Sequence, residues 1–171
     1  SSPVTLRAQN PFLEIRCHNK NYSTHLLGSY NLPNIRLAYS IGRHFEVPET
    51  DVLEAIASYA PTNNRSQYVK TRKNAIYLDA YNANPSSVAP ALEDFAQLNV
   101  ENKHVILADM LELGAISTNE HQRILHLLKE LNMENVLLIG KAYGQFKGYG
   151  DFQYFETKDE AERFLTANPI E

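Results

Sequence analysis

The sequence predicts an α/β protein: a mostly parallel sheet with helices on both faces, preceded by an antiparallel and helical segment. Three observations carry that reading. From Ala75 onward, short apolar runs alternate with segments of helical period, the pattern of a sheet whose strands are connected through helices. Ser117-Thr118-Asn119-Glu120 and Thr157-Lys158-Asp159-Glu160 both have the form of a capping box at a helix start. Before position 61 the pattern is different, with short alternating strands separated by turns rich in Asn and His.

Val4 to Ala8, Phe12 to Cys17 and Tyr22 to Leu27 alternate apolar and polar residues, and Asn10-Pro11 and His18-Asn19-Lys20-Asn21 separate them, so they read as antiparallel strands. Ile35, Ala38, Ile41 and Phe45 follow at helical spacing, with Pro33 where a first turn tolerates it. A second helix carries Val52, Leu53, Ile56, Ala57 and Ala60 inward and runs to Pro61. Pro61-Thr62-Asn63-Asn64 is the linker candidate. Gln67 to Lys70 is a short strand, followed by a basic turn at Arg72-Lys73-Asn74. Ala75 to Asp79 reads as a buried strand. A helix opened by Ser86 or Ser87 then carries Val88, Ala91, Leu92, Phe95 and Ala96 on one face. Further strands are His104 to Ala108, Val136 to Ile139 and Phe152 to Phe155. The helix after Ser117 turns Ile124, Leu127, Leu128 and Leu131 inward, and the last helix carries Ala161, Phe164 and Leu165 until Asn168-Pro169 stops it.

Composition narrows the function. Hydrophobic residues make up 43% of the 171 and charged residues 21%, which suits a folded core and argues against disorder. A net charge of −4 argues against a general nucleic-acid binder. No apolar run reaches membrane-spanning length, no signal peptide opens the chain, and the expectation is a cytoplasmic monomer. The single cysteine, Cys17, excludes an internal disulfide, fits a reducing compartment and reads as a packed thiol.

Chemistry concentrates where strands end. Asp79 follows one apolar run, Asp109 the next, and Gly140-Lys141 the third; parallel strands would bring these ends to one sheet edge, where open α/β folds bind ligands. Asp79-Ala80-Tyr81-Asn82-Ala83-Asn84 leads from a strand to a helix start, so it reads either as a ligand loop or as an Asn-rich turn. Asp109 reads equally as a cap for the turn before Glu112. Arg65, Lys70, Arg72 and Lys73 form a basic cluster, in which Arg65 stands at the domain junction and could reach a phosphate. Gly140-Lys141-Ala142 lacks the rest of a phosphate-binding P-loop, and Gly148-Tyr149-Gly150 lacks the third glycine of a dinucleotide fingerprint. His121 and His126 lack metal-binding spacing and read as a solvated face; no metal ligand is assigned.

Four segments carry a family resemblance. Leu78-Asp79-Ala80-Tyr81-Asn82-Ala83-Asn84-Pro85-Ser86-Ser87 resembles the D-x-Y-N-A-N-P-x-S signature of the Mur ligase family, in its D-alanyl-D-alanine-adding branch. Ala108-Asp109-Met110-Leu111-Glu112-Leu113-Gly114 is similar to the G-D-M-x-E-L-G segment, Gly28-Ser29-Tyr30-Asn31-Leu32-Pro33-Asn34 to the G-x-H-N-x-x-N helix start, and Asn64-Arg65-Ser66 to a G-R segment by its arginine. Tyr30 stands where many relatives have His, and Leu78 where many have a second acid.

The resemblance implies a three-domain ligase using ATP and Mg2+ to join UDP-N-acetylmuramoyl-tripeptide to D-alanyl-D-alanine through an acyl phosphate, in peptidoglycan precursor synthesis. Residues 1–60 would be the end of its ATP-binding central domain and 61–171 a Rossmann-like C-terminal domain that stops before the family's K-G-S-R segment. By the same resemblance Asn34 would contact adenine with Asn31 nearby, Asp79 the ribose, and Arg65 the terminal phosphate as the catalytic cation. Tyr81, Asn82, Asn84 and Asp109 would line the interdomain, substrate-facing side. The family's P-loop and magnesium ligands would lie upstream, so the 171 residues alone are expected to be inactive and to hold no tightly bound cofactor. Alternatives are another member of the superfamily such as folylpolyglutamate synthetase, against which Tyr81-Asn82-Ala83-Asn84-Pro85 argues, and a phosphoryl-receiver domain, against which Leu78 argues.

Overall fold

A computed structural model of the chain describes residues 2–62 and 64–170. The chain forms two compact units, residues 1–81 and 82–171. Among the described residues no helix is long and apolar enough to cross a membrane.

The first unit opens with an antiparallel meander, β1 (Val4–Gln9), β2 (Phe12–Cys17) and β3 (Lys20–Leu27), paired in the order β1-β2-β3. The alternation of β2 turns Leu13, Ile15 and Cys17 to one face. There they pack with Ile35 and Tyr39 of α1 (Leu32–His44) and with Val52, Leu53 and Ile56 of α2 (Glu49–Ser58). The one polar side chain buried in this meander, Thr24, is satisfied: its hydroxyl donates to the Leu13 carbonyl and accepts from the Leu26 N–H. Pro33 falls in the first turn of α1, where a missing N–H costs nothing.

A hairpin completes this unit: β4 (Gln67–Lys70) and β5 (Ala75–Leu78), antiparallel in register from Gln67↔Leu78 to Lys70↔Ala75. This corrects the expectation of a buried parallel strand at 75–79. Ala75 and Ile76 are exposed, Tyr77 and Leu78 half-buried, and among the described residues β5 pairs only with β4. The turn between them is short enough to close an antiparallel pair locally, whereas a parallel pairing needs a long crossover. In the linker candidate, Asn63 lies outside the described residues.

The second unit holds the parallel sheet, β6 (His104–Ala108), β7 (Asn135–Ile139) and β8 (Gln153–Phe155), in the order β6-β7-β8. Val136-Leu137-Leu138 is continuous because the central strand is covered on both faces. Val136 and Leu138 join the core built with α3 (Pro85–Gln97) and α4 (Ser117–Glu130). Leu137 alternates to the opposite face, where α6 (Lys158–Ala167) contacts β7 and β8. The fold is therefore the mixed α/β arrangement with a parallel sheet that the alternation predicts, although the sheet has three strands and not four.

The helix starts test the capping expectations. Thr157 caps α6 with Glu160 reciprocating, as its sequence implies. Asn84, and neither Ser86 nor Ser87, caps α3: its side chain accepts from the Ser87 N–H, and the Ser87 hydroxyl reciprocates. Ser117 does not cap α4. A 3-10 turn at Gly114–Ile116 runs straight into that helix, so its first N–H groups already lie in helical backbone. His121 is fully buried on the inner face of α4, which corrects the expectation of a solvated position.

Candidate functional site

In the first unit, a connected group of side chains forms at the base of the hairpin. The β4–β5 register extrapolates one step to Ser66 opposite Asp79, and there the Ser66 N–H donates to Asp79 Oδ1 at 3.2 Å. One residue further out, the Ala80 N–H donates to the Asn64 carbonyl at 2.8 Å. Asn64 and Ser66 both adopt positive φ, 57° and 46°, so the chain kinks on either side of Arg65. The Arg65 guanidinium lies 3.6 Å above the Tyr81 ring, which is itself 62% exposed. A stack of this kind at an exposed site is worth about 0.5–1 kcal/mol, enough to orient the guanidinium and little enough to release it to a stronger anion.

Tyr30 links this group to the start of α1. Its hydroxyl lies 3.1 Å from Ser66 Oγ. Its ring covers Gly28, where φ is 76° and an added Cβ would meet the Tyr30 ring at 2.1 Å, so this turn requires glycine. Asn31 and Asn34 follow. The Asn31 amide donates to the Leu27 carbonyl at 2.7 Å and accepts from Asn34 Nδ2 at 3.1 Å. The Asn34 amide oxygen and Asp79 Oδ2 take no hydrogen bond among the described residues, which leaves two acceptors on this group available to a ligand.

The second unit holds Asn82, Asn84 and Asp109. Asn82 is exposed in the turn before α3, and Asn84 is committed through its amide oxygen to Ser86 and Ser87. Asp109 is committed more deeply. It ends β6, and its carboxylate accepts from the Ala142 N–H at 2.9 Å and the Tyr143 N–H at 3.0 Å, at the start of the short helix α5 (Lys141–Gly144). Asp109 thus holds a neighbouring segment and not the turn before Glu112. The close approach depends on Gly140, whose φ is 125° and where a Cβ would fall 2.2 Å from Asp109 Cγ. Lys141 extends outward, 84% exposed, to Glu156 at 3.6 Å.

His121 is the site residue that sequence reasoning missed. Its Nε2 accepts from the Met110 N–H at 3.0 Å, and its Nδ1 lies 2.7 Å from the Ser117 carbonyl, which assigns the proton to Nδ1. The ring meets Tyr143 edge-on at 4.6 Å. Burial, with the Asp109 charge close by, pushes the Tyr143 phenol well above its usual value. His121 therefore fixes the chain just after Asp109. Its signal was in the sequence: His121, Ile124, Leu125 and Leu128 follow one helical stripe, with the imidazole as its first member. Asp79 and Asp109 do not share a sheet edge, because β5 is not a strand of the parallel sheet.

Comparison with known proteins shows the family. Residues 64–167 match the model of the Mur ligase, glutamate ligase domain. The chain is 29% identical over 141 residues to the UDP-N-acetylmuramoyl-tripeptide–D-alanyl-D-alanine ligase of Bacillus subtilis, covering 81% of this chain and 30% of that protein. The crystal structure of MurF from Acinetobacter baumannii superposes with a TM-score of 0.80 at 23% identity, over 96% of this chain and 37% of that one. MurF ligase from Thermotoga maritima, solved in complex with ADP, gives 0.78 at 16% identity, over 99% and 40%. The chain thus spans well under half the length of these relatives. The match to the family model covers the hairpin base with Arg65 and Asp79 as well as the whole parallel sheet, and the chain belongs to the Mur ligase family through its glutamate ligase domain.

Proposed function

We propose that this chain is part of an ATP-dependent ligase that joins D-alanyl-D-alanine to UDP-N-acetylmuramoyl-tripeptide in peptidoglycan precursor synthesis in the cytoplasm, with residues 1–60 ending its central domain and 61–171 forming its C-terminal domain. The observation that carries the reading is the connected group Tyr30–Ser66–Asp79 with Arg65 on Tyr81. It joins the start of α1 to the base of the hairpin, so the residues assigned to adenine, ribose and phosphate stand on one scaffold. The relatives named for this reaction support the substrate assignment.

The chemistry asked of these residues is modest. ATP supplies the phosphoryl group that activates the peptide carboxylate, and the amine of D-alanyl-D-alanine then displaces phosphate to form the amide. Magnesium would be held by residues outside this chain. The Asn34 amide oxygen suits an exocyclic amine donor such as that of adenine, and Asp79 Oδ2 suits a ribose hydroxyl. Arg65, released from Tyr81, would balance the charge that builds on the transferring phosphoryl group and supply planar paired donors. Asn82, Asn84 and Asp109 would support the substrate-facing side, Asn84 and Asp109 by holding α3 and α5 in place.

In the full-length ligase, Arg65→Ala should lower kcat by about 10²–10³, the scale for losing one charged transition-state donor. Arg65→Lys should recover part of the loss, because it restores charge without the planar fork. Steady-state kinetics with UDP-N-acetylmuramoyl-tripeptide and D-alanyl-D-alanine read the result, and an unchanged kcat in Arg65→Ala would overturn the assignment.

A further inference from the structure

We propose that Cys17, His18 and Glu49 form a binding site for a divalent transition metal of the zinc type. A thiol sulfur, an imidazole nitrogen and a carboxylate oxygen from these residues all lie within 4.8 Å of one another. The three donors are the types zinc selects, with bonds of about 2.0–2.3 Å and hence donor–donor spacings of about 3.3–3.8 Å in a tetrahedral shell. His18 Nε2 and Glu49 Oε1 already stand 3.4 Å apart, and both side chains reach solvent (64% and 37% exposed), so small rotations close the remaining gap. Thiolate with imidazole favours zinc over magnesium or calcium, which prefer oxygen.

The backbone explains why these residues meet. Consecutive residues of an extended strand point to opposite faces, so Cys17 and His18 would ordinarily diverge. His18 instead adopts φ 51° in the turn after β2, which folds the imidazole back beside the thiol. Glu49 arrives from a distant part of the sequence as the first residue of α2. Tyr39 Oη donates to Glu49 Oε1 and orients the carboxylate, as outer-sphere partners do at metal sites. A cleft of about 210 Å3, lined by the three residues with Lys20, Tyr22 and Thr50, leaves room for a water in the fourth position. Burial, reinforced by Glu49, pushes the Cys17 thiol up. Metal uptake therefore exchanges one thiol proton for a metal–sulfur bond and releases that proton to solvent. The site is independent of the ligase reading.

Cobalt(II) is the probe, because Cys17 is the single cysteine and a thiolate-to-cobalt charge-transfer band reports this site alone. Titration of the chain should raise that band, saturate at one cobalt per chain and be reversed by zinc. His18→Asn keeps a residue that tolerates the left-handed turn. It and Glu49→Gln should each weaken cobalt binding by at least about tenfold with unchanged far-ultraviolet circular dichroism. Urea should abolish the band, since Glu49 is brought to Cys17 only by folding. The absence of a band, saturation at one cobalt per two chains, an unchanged affinity in His18→Asn, or persistence in urea would each overturn the proposal.

Discussion

Asp79 and Asp109 are the same residue type at the same kind of position, just after a strand, and the structure uses them differently. Asp109 is 18% exposed and gives its carboxylate oxygens to the Ala142 and Tyr143 N–H groups. Asp79 is exposed, takes one backbone N–H on Oδ1, and among the described residues keeps Oδ2 available. The first is a fastener between two strand ends of a parallel sheet; the second closes the base of a hairpin and faces outward. A strand-terminal carboxylate is therefore a ligand candidate only after its own backbone neighbours have been counted. Asp109 has two such neighbours, because β7 runs parallel beside β6 and delivers the start of α5 to it.

The largest test of this contrast is Gly140→Ala. Gly140 has φ 125° and ψ 170°, a region essentially reserved for glycine, and its Cβ would fall onto the Asp109 carboxylate. We expect a loss of at least about 3 kcal/mol in urea denaturation followed by circular dichroism. Gly114→Ala is the control: its φ is also positive, 54°, but a Cβ there meets nothing within 4 Å, so about 1 kcal/mol is expected. Equal losses at the two glycines would break the claim that Asp109 is tightly clasped.

A smaller effect separates the two aspartates directly. Asp109→Ala leaves two N–H groups of α5 without their charged acceptor and should cost about 2–3 kcal/mol of stability. Asp79→Ala removes one hydrogen bond at an exposed site and should cost about 0.5–1 kcal/mol. In the full-length ligase the Asp79 variant should also weaken ATP binding by about 1.5–3 kcal/mol, the scale of a hydrogen bond to a charged group. Denaturation and nucleotide titration on the same preparations read both quantities. A stability loss in Asp79→Ala as large as that in Asp109→Ala, with ATP affinity unchanged, would make Asp79 a fastener too.

The sequence disclosed much of this architecture and misled on specific points. Periodicity located the strands and the five longer helices, because burial of one face imposes the pattern, but the one-turn helix α5 is too short to carry a period. It could not say that β5 pairs with β4. Ala75-Ile76-Tyr77-Leu78 is apolar enough for a buried strand, and only the short turn at 71–74 hinted at a hairpin. Pro85 marked the true cap of α3: proline favours the first helical position, which makes Asn84 the residue before it. Ser117 failed as a cap because the preceding 3-10 turn had already set helical backbone, and its hydroxyl lies 3.3 Å from His121 Nδ1 instead. The Arg65–Tyr81 stack had no local signal at all. The two residues are far apart in sequence and meet only through the hairpin register.

The smallest expected effect concerns a third carboxylate, Glu49, which stands between the other two in exposure and faces two side-chain partners, Tyr39 and His18. Tyr39 Oη donates to Glu49 Oε1. That bond, first among the causes, holds the Glu49 carboxyl below its ordinary value, with His18 adding to the effect. The same bond is the main reason that the Tyr39 phenol is pushed up to about 12. The signs follow from linkage. Glu49 is depressed in the fold, so its contribution is present above the ordinary carboxyl value and is lost as pH falls through the lower folded one. Tyr39 is raised, so its contribution is complete below the ordinary phenol value of 10.0 and is lost as pH rises through about 12. The wild-type chain should therefore lose some stability at both the acid and the alkaline end relative to Tyr39→Phe, with the gap between them widest from about pH 5 to 10. Denaturation midpoints of the two proteins across that range give the measurement. A gap that stays constant at every pH would mean that the Tyr39 hydroxyl and the Glu49 carboxylate are not coupled, and that Glu49 behaves like a solvated surface acid.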